Sequence, residues 1–487
     1  MAQFKTPGVY IVEEDAFPNS VVQTPTGIPL FVGYTEKAEN AAGETLIRKP
    51  TRITSLMDYH SLFGGAPASV VDIVDEGEVE TYRVTEQNYF LYRAVQMFYA
   101  NGGGPAFIAS VGVYGDSIDA TELKSVFSND TDKVALKVDA PDIFAIPDAA
   151  GLASDTEAAG VYQTALTCAE REEDSRFVLM DLTQGDRELA SNSDFITQFQ
   201  TDIGNNRLKY GAAYYPWLRT SLVSQATLAM CSDGVKAALK AAIAKDLEGD
   251  DARITELQGR IDAATTPDAM ETANAAAMSQ STSYVAIMKR VLEAINLQPT
   301  AGAIAGVYTS TDVNEGVFKA PANTSMVSVV APAVQITDQM QQNLNVPING
   351  KAINAIRTFL GRGVLIWGAR TLDGNSNDWR YINVRRTLMM FERSARAACQ
   401  PYVFAPNTAQ TWVTVRSMLE NFLNNQWKAG ALAGSTPEEA YSVAVGLGET
   451  MTSEDVLNGF MNVQIRVAVV RPAEFIILTF QQKMQTS

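Results

Sequence analysis

Histidine is almost missing from this 487-residue chain: His60 is the only one. Zinc sites built on imidazole need two or three such ligands, and a hydrolytic triad usually centres on one, so most metal and triad chemistry is excluded. In LMDYHSLFGG, Leu56, Tyr59, Leu62 and Phe63 fit one side of a short helix stopped by Gly64, which makes His60 a helix-end residue rather than a base. Cysteine is also scarce. Cys168, Cys231 and Cys399 are dispersed without any CxxC spacing, as small buried hydrophobes would be in a reducing compartment. Positive charge is short as well: 38 Lys and Arg stand against 55 Asp and Glu, a net charge of −17. Such a surface repels phosphate backbones and anionic lipid, so neither nucleic acid nor direct membrane insertion is expected. No apolar run approaches a membrane span, the strongest near the end being residues 475–478. MAQFKTPGVY lacks the charged and apolar segments of a secretory leader, which predicts cytoplasmic synthesis without a signal peptide.

Ligand-binding motifs are missing too. There is no GxxxxGK[ST], and the glycines at 102–104 and at 361 and 363 precede strand-like runs, whereas a dinucleotide site needs them before a helix. DGNSND begins like a calcium loop at Asp373, Asn375 and Asn377, but Asp378 replaces the turn glycine and Val384 the bidentate glutamate. The carboxylate clusters Glu13-Glu14-Asp15 and Asp75-Glu76 with Glu78 and Glu80 have the composition of solvated faces rather than of a glycosidase acid and base. No cofactor, metal or catalytic residue is expected.

What is present is a folded α/β composition, 46% hydrophobic and 19% charged, long enough for two or three domains. GIPLFV, PAFIASVGV, VALKVDA, RFVLMDL, YGAAYYPWL and VLIW read as strands, and VDIVDEGEVETYRV as a hairpin turning at Gly77. Helical spacing appears over NYFLYRAVQMFYA, TEAAGVYQTALTCAE, the segment from Tyr381 and the segment from Thr408. Residues 221–296 are Ala-rich, with Val235, Leu239, Ile243 and Leu247 recurring every fourth position, an antiparallel helical excursion broken at Gly249-Asp250-Asp251. From Pro299 to Ser325 the composition is that of turns, KAINAIRTF is either helix or strand, and the chain ends in two strands, NVQIRVAVV and EFIILTF. At the other end, Gly8-Val9-Tyr10-Ile11-Val12 is a strand-like run with no neighbouring partner.

TPGVYIVE, GVFKAPAN, LNVPINGKAINAIRTFLGRGVLIWGARTL, YINVRRTLMMFERSA, WKAGALAGSTPEEAYSV and VAVVRPAEFIILTF together, and in this order, resemble the contractile tail sheath family of myophages and phage-tail-like injection systems. The opening stretch is most similar to sheaths of the antifeeding-prophage and virulence-cassette kind. The resemblance implies a mixed α/β, multi-domain sheath fold with an inner domain built from both chain ends and an outward-facing middle. Its expected parts are an N-terminal exchange arm (1–22), an inner domain in two pieces (23–110 and 346–472), an outer domain (111–345) carrying the helical insertion (222–296), and a C-terminal arm (473–487).

The implied function is that of a structural subunit, not an enzyme. It polymerises helically around an inner tube, engages baseplate and terminal cap proteins, and contracts within a phage-tail-like particle, released from the cell or not. The alternatives are a non-contractile baseplate or adhesin component and a carboxylate-based hydrolase. Expected arm strands are Thr6, Pro7, Gly8, Val9, Tyr10, Ile11 and Val12 at one end and Val467, Val469, Pro472, Phe475, Ile476, Ile477 and Leu478 at the other. Glu14, Phe17, Pro18 and Arg471 are the expected hinges. Arg385, Arg386 and Arg393, with Glu438 and Glu439, are the candidates to touch the tube; internal salt bridges are the competing role for the arginines. Added strands pair main-chain groups at an exposed edge, and an arm of this length reaches roughly 50 Å.

Overall fold

A computed structural model describes residues 21–75, 80–115, 117–128, 134–170, 175–189 and 194–478. The chain divides into two units: Pro25–Met389 together with the chain from Arg471, and Met390–Val470 together with the residues up to Thr24.

The larger unit is organised by strands whose side chains are apolar on both faces. Pro29–Thr35, Phe177–Asp181 and Gly211–Tyr215 are buried at every position, as strands covered on two sides must be. They belong to an eight-stranded sheet ordered Gly363–Ile366, Ile353–Phe359, Gly211–Tyr215, Phe177–Asp181, Ile143–Ala145, Pro29–Thr35, Ala106–Val113, Thr51–Ile53. The six inner strands run parallel and the two edge strands antiparallel. The chain places Ala106–Val113 on one side of Pro29–Thr35, then crosses over and builds outward from Ile143–Ala145, which is a doubly wound topology. Alternation sends Leu30, Val32 and Tyr34 to one face, against Leu123, Phe127, Tyr162, Leu166 and Phe199. Phe31 goes to the other face, with Val95, Phe98, Ile304 and Tyr308.

The expected boundaries at 110/111 and 345/346 fall within the span of this sheet. Pro29–Thr35 pairs with Ile143–Ala145 and Gly211–Tyr215 with Ile353–Phe359, so each cut would split one hydrogen-bonded sheet. The stretch expected to consist of turns after Pro299 contains the helix Ala301–Asn314, buried over most of its length. Its glycines are there for contact. A Cβ on Gly302 would collide with the Ala94 carbonyl, and one on Gly306 would lie 2.6 Å from the Phe98 carbonyl, so the backbones of Ala301–Asn314 and Leu91–Ala100 touch. VALKVDA is not a strand either. Val134 and Ala135, adjacent in sequence, are both buried in a 3₁₀ turn, Val134–Leu136, and the strand of this region is the three-residue Ile143–Ala145. KAINAIRTF is a strand, joined to Gly363–Ile366 through Gly361 and Gly363, both at positive φ.

The helical excursion has its own core within the larger unit. Asp233–Asp246, Asp251–Ala263, Pro267–Met278 and Thr282–Ile295 are each started by a side-chain cap, from Ser232, Asp250, Thr266 and Ser281 respectively. Val235, Leu239, Ile243, Leu257, Ile261, Tyr284, Met288 and Val291 meet inside. The hairpin Val70–Asp75/Glu80–Glu86 joins them: Val71 is part of this core, and Ser232 donates its N–H to the Val71 carbonyl at 2.9 Å. Its turn at Gly77 lies outside the described residues.

The smaller unit is built on the helix Ala409–Lys428, whose Val415, Met418, Leu419, Phe422 and Leu423 form one buried stripe. Phe391 meets Phe422 edge to face at 5.8 Å. From the amino-terminal side, Thr24 donates its N–H to Ser394 Oγ at 2.9 Å and Gln23 Oε1 accepts from Gln426 at 3.1 Å. Tyr441–Ala444 and Gln464–Val467 form an antiparallel pair, extended by Ala433 N–H to the Ala468 carbonyl at 2.7 Å. Among the described residues no third strand joins this sheet, and Gln464–Val467 is largely exposed.

Candidate intersubunit arm and its anchor

The expected C-terminal strand EFIILTF has no strand partner among the described residues. Phe475, Ile476, Ile477 and Leu478 are 71%, 77%, 88% and 75% exposed. Isolated exposed hydrophobics are ordinary, but four consecutive ones form an apolar run open to solvent. Because side chains of an extended segment alternate, exposure at all four positions means that both faces are uncovered.

The root of this segment is nonetheless fixed within the larger unit. Glu474 accepts from Arg370 Nε at 2.9 Å and Nη2 at 2.6 Å, from Asn345 Nδ2 at 2.7 Å and from the Tyr381 hydroxyl at 3.2 Å. Burial pushes the Glu474 carboxyl up, but the hydrogen bonds from Arg370 and Asn345 outweigh it and hold it below the usual glutamate range. Arg370 is itself immobilised. Its Nη1 donates to the carbonyls of Asn345 and Gly374 at 3.1 and 3.2 Å, and its N–H to Asn354 Oδ1 at 2.8 Å. Arg471, the expected hinge, makes one loose exposed pair with Asp378 at 3.9 Å. Thr6, Pro7, Gly8, Val9, Tyr10, Ile11 and Val12, and the hinge residues Glu14, Phe17 and Pro18, lie outside the described residues. Val467 and Val469 belong to the open sheet of the smaller unit, Val469 bridging to Leu432.

The arginines named as candidates for an inner tube are buried, as their competing role in internal salt bridges requires. Arg386 lies between Asp312 (2.6 Å) and Asp142 (3.1 Å), and stacks over the Tyr308 ring at 4.8 Å. Burial pushes the pKa of its guanidinium down, but Asp312 and Asp142 outweigh that and hold it above the usual arginine value. Asp142 also accepts the N–H groups of Gly27 and Ile28 at 3.0 and 2.6 Å. Arg385 sits over the Tyr210 and Trp379 rings at 4.9 and 5.1 Å. Arg385, Arg386 and Arg393 are only 3%, 3% and 9% exposed, so none of the three has a charged surface to offer a partner. Glu438 and Glu439 are exposed at the start of Pro437–Ala440.

In a doubly wound sheet, ligands bind outside the carboxyl ends of the strands, where the winding reverses. Here that crevice is filled from within. Asp148, fully buried, accepts from Tyr34 N–H at 2.7 Å and from Phe90 and Leu91 N–H at 2.6 and 3.0 Å. It thereby occupies the start of Leu91–Ala100, where a phosphate would otherwise sit. Asp181 does the same for Ala301–Asn314, accepting from the Thr300 N–H and hydroxyl, both at 2.6 Å, and from Ala301 N–H. Burial pushes both carboxyls up, to about 6. Sequence reasoning missed Asp148, Asp181, Asp142, Asp312, Arg370 and Glu474. The first two were visible as lone acids directly after apolar strand runs, in FAIPD and VLMD. His60 lies on Leu56–Phe63 beside the Tyr92 hydroxyl, at 3.0 Å.

Comparison with known proteins follows the same line. The phage tail sheath C-terminal domain family matches residues 375–483. The chain is similar to the sheath complex of an extracellular contractile injection system, PVC, in the contracted state: 25% identity, TM-score 0.63, covering 99% of each chain. It is similar to the helical sheath of the anti-feeding prophage in the contracted state: 28% identity, TM-score 0.62, covering 99% of this chain and 100% of that one. A chain of the anti-feeding prophage baseplate structure is 29% identical at TM-score 0.62, with the same coverage. No curated protein matches.

Proposed function

We propose, from the premise that this chain is a contractile tail sheath protein and hence a structural subunit, that its copies polymerise helically around an inner tube and contract together to drive that tube through a target envelope. The observation that carries this reading is the anchored, largely exposed run at 475–478 in a chain whose two-stranded sheet also gains no further strand among the described residues. An apolar strand without a sheet and a sheet with free edges are complementary, and a head-to-tail contact of this kind between copies builds an open helix. Residues 1–22 are proposed as the second arm, with Glu14, Phe17 and Pro18 as its hinge.

The tube-facing part is proposed to be the smaller unit, with Glu438 and Glu439 available as contacts, and the helical excursion to face outward. Baseplate and cap proteins complete the particle, which assembles in the cytoplasm. Contraction needs no nucleotide, because the energy is stored at assembly and released as better interfaces form during rigid-body movement of subunits. A catalytic role is not proposed. The buried carboxylates Asp148 and Asp181 are spent on helix starts, and the acidic cluster that began the hydrolase alternative contributes only an exposed Glu80 to the described surface. Negative-stain microscopy of the purified chain tests the reading: tubes of one chain type support it, and a persistent monomer that ignores added inner tube overturns it.

A further inference from the structure

The apolar run at 475–478 does not hang from the end of the smaller unit at Val470. It begins one residue after a carboxylate held by three side chains of the larger unit, at Arg370, Asn345 and Tyr381. The side-chain exposures differ in a telling way: 4% for Arg370 and 21% for Glu474. The receptor half of the pair is built into the body, while the arm half reaches the surface. Two further partners of Arg370, the carbonyls of Asn345 and Gly374, belong to the body rather than to the arm. The socket is therefore held from the body side, and the paired N–H groups of its guanidinium fit a carboxylate with a defined orientation.

We infer that Glu474 is a positioning residue for assembly: docked on Arg370, Asn345 and Tyr381, it fixes the origin and direction from which residues 475–478 are offered to the open sheet edge of a second copy. This rests on the sheath reading and adds to it where the arm is held. The physical gain is preorganisation. With Glu474 docked, the segment that must be ordered on capture begins at Phe475. With Glu474 released, residues 471–474 become part of the tether, the end explores a larger volume, and its effective concentration at the neighbour's edge falls. The clamp also limits how far a pulled arm can lengthen while subunits rotate, since tension along the strand loads a charge-assisted fork rather than a bare loop.

The test uses the full chain and its Glu474→Ala and Glu474→Gln variants. In the isolated subunit, a chymotrypsin-like protease is used to cut after Phe475, read by mass. Loss of the charge-assisted bonds is expected to speed this cleavage about tenfold or more in Glu474→Ala, with Glu474→Gln between the two. The body is expected to stay folded, with its melting temperature lowered by about 2–4 °C, because the Arg370 guanidinium, only 3% exposed, loses its charged partner. Tube formation by Glu474→Ala is expected to be slower by a similar factor, while the tubes that do form have the parent's diameter, since the apolar strand itself is intact. Equal cleavage rates in the parent and Glu474→Ala would overturn the clamp, and so would equal rates of tube formation. A parent chain that forms no tubes would remove the sheath reading instead, leaving cleavage as an independent measure of the anchor.

Discussion

The central sheet and the C-terminal segment handle similar residues in opposite ways. In Pro29–Thr35, Phe177–Asp181 and Gly211–Tyr215 each apolar side chain is covered and each strand has neighbours on both sides. Residues 475–478 are as apolar, yet are more than two-thirds exposed. The smaller unit repeats the contrast, with a closed helical stripe at Val415–Leu423 beside a two-stranded sheet that stops early. Closed regions store stability inside one copy, whereas the open ones are proposed to gain theirs from contacts between copies. With a net charge of −17, apolar surface and main-chain pairing are the contacts least opposed by repulsion between like-charged bodies.

This contrast can be broken first at the buried charge. Arg386→Ala leaves Asp142 and Asp312 facing each other in the core, and is expected to cost about 3–5 kcal/mol of unfolding free energy in a denaturant titration. Assembly would then fail because the body fails. Gly302→Val forces a side chain into the Ala94 backbone and is expected to cost about 1–3 kcal/mol by the same measurement. Ile477→Asp sharpens the comparison from the other side. Monomer stability should move by no more than about 0.5 kcal/mol, as for other surface changes, while sedimentation shows the loss of polymer.

The smallest effect concerns pH. Hydrogen bonds from Ser283 and Ser281 hold the Asp246 carboxyl down at about 2, tying the end of Asp233–Asp246 to the start of Thr282–Ile295. Its folded value is below the unfolded one, so its contribution is full above the ordinary carboxylate range and is lost as pH falls through about 2. The stability difference between the parent and Asp246→Asn should be flat near neutrality and shrink on acidification.

How much of this was readable from sequence depended on whether a residue's role was local. Near-continuous apolar runs bounded by Gly and Pro announced most of the sheet, and four-residue spacing announced the helices between 221 and 296, because burial of a strand or helix face leaves a periodic trace. Ala301–Asn314 left none: it is buried all round, and its glycines, needed to touch Leu91–Ala100, look like turn residues. Ile143–Ala145 is too short to show a period. The arginines were hard to read for a different reason. A cluster of positive charge in an acidic chain suggests a partner, but Arg386 finds its carboxylates 74 and 244 residues away, pairings made only by the fold. EFIILTF was legible as a strand-like run; that Glu474 pins it to Arg370, 104 positions earlier, was not.

Residues 475–478 are proposed to be an interface that another copy completes. Negative-stain microscopy of the full chain beside a chain stopped after Glu474 tests it most directly, with circular dichroism confirming that both are folded. Tubes from the full chain and only folded, dispersed subunits from the shortened one are the predicted result. Tubes of equal abundance from both would contradict it.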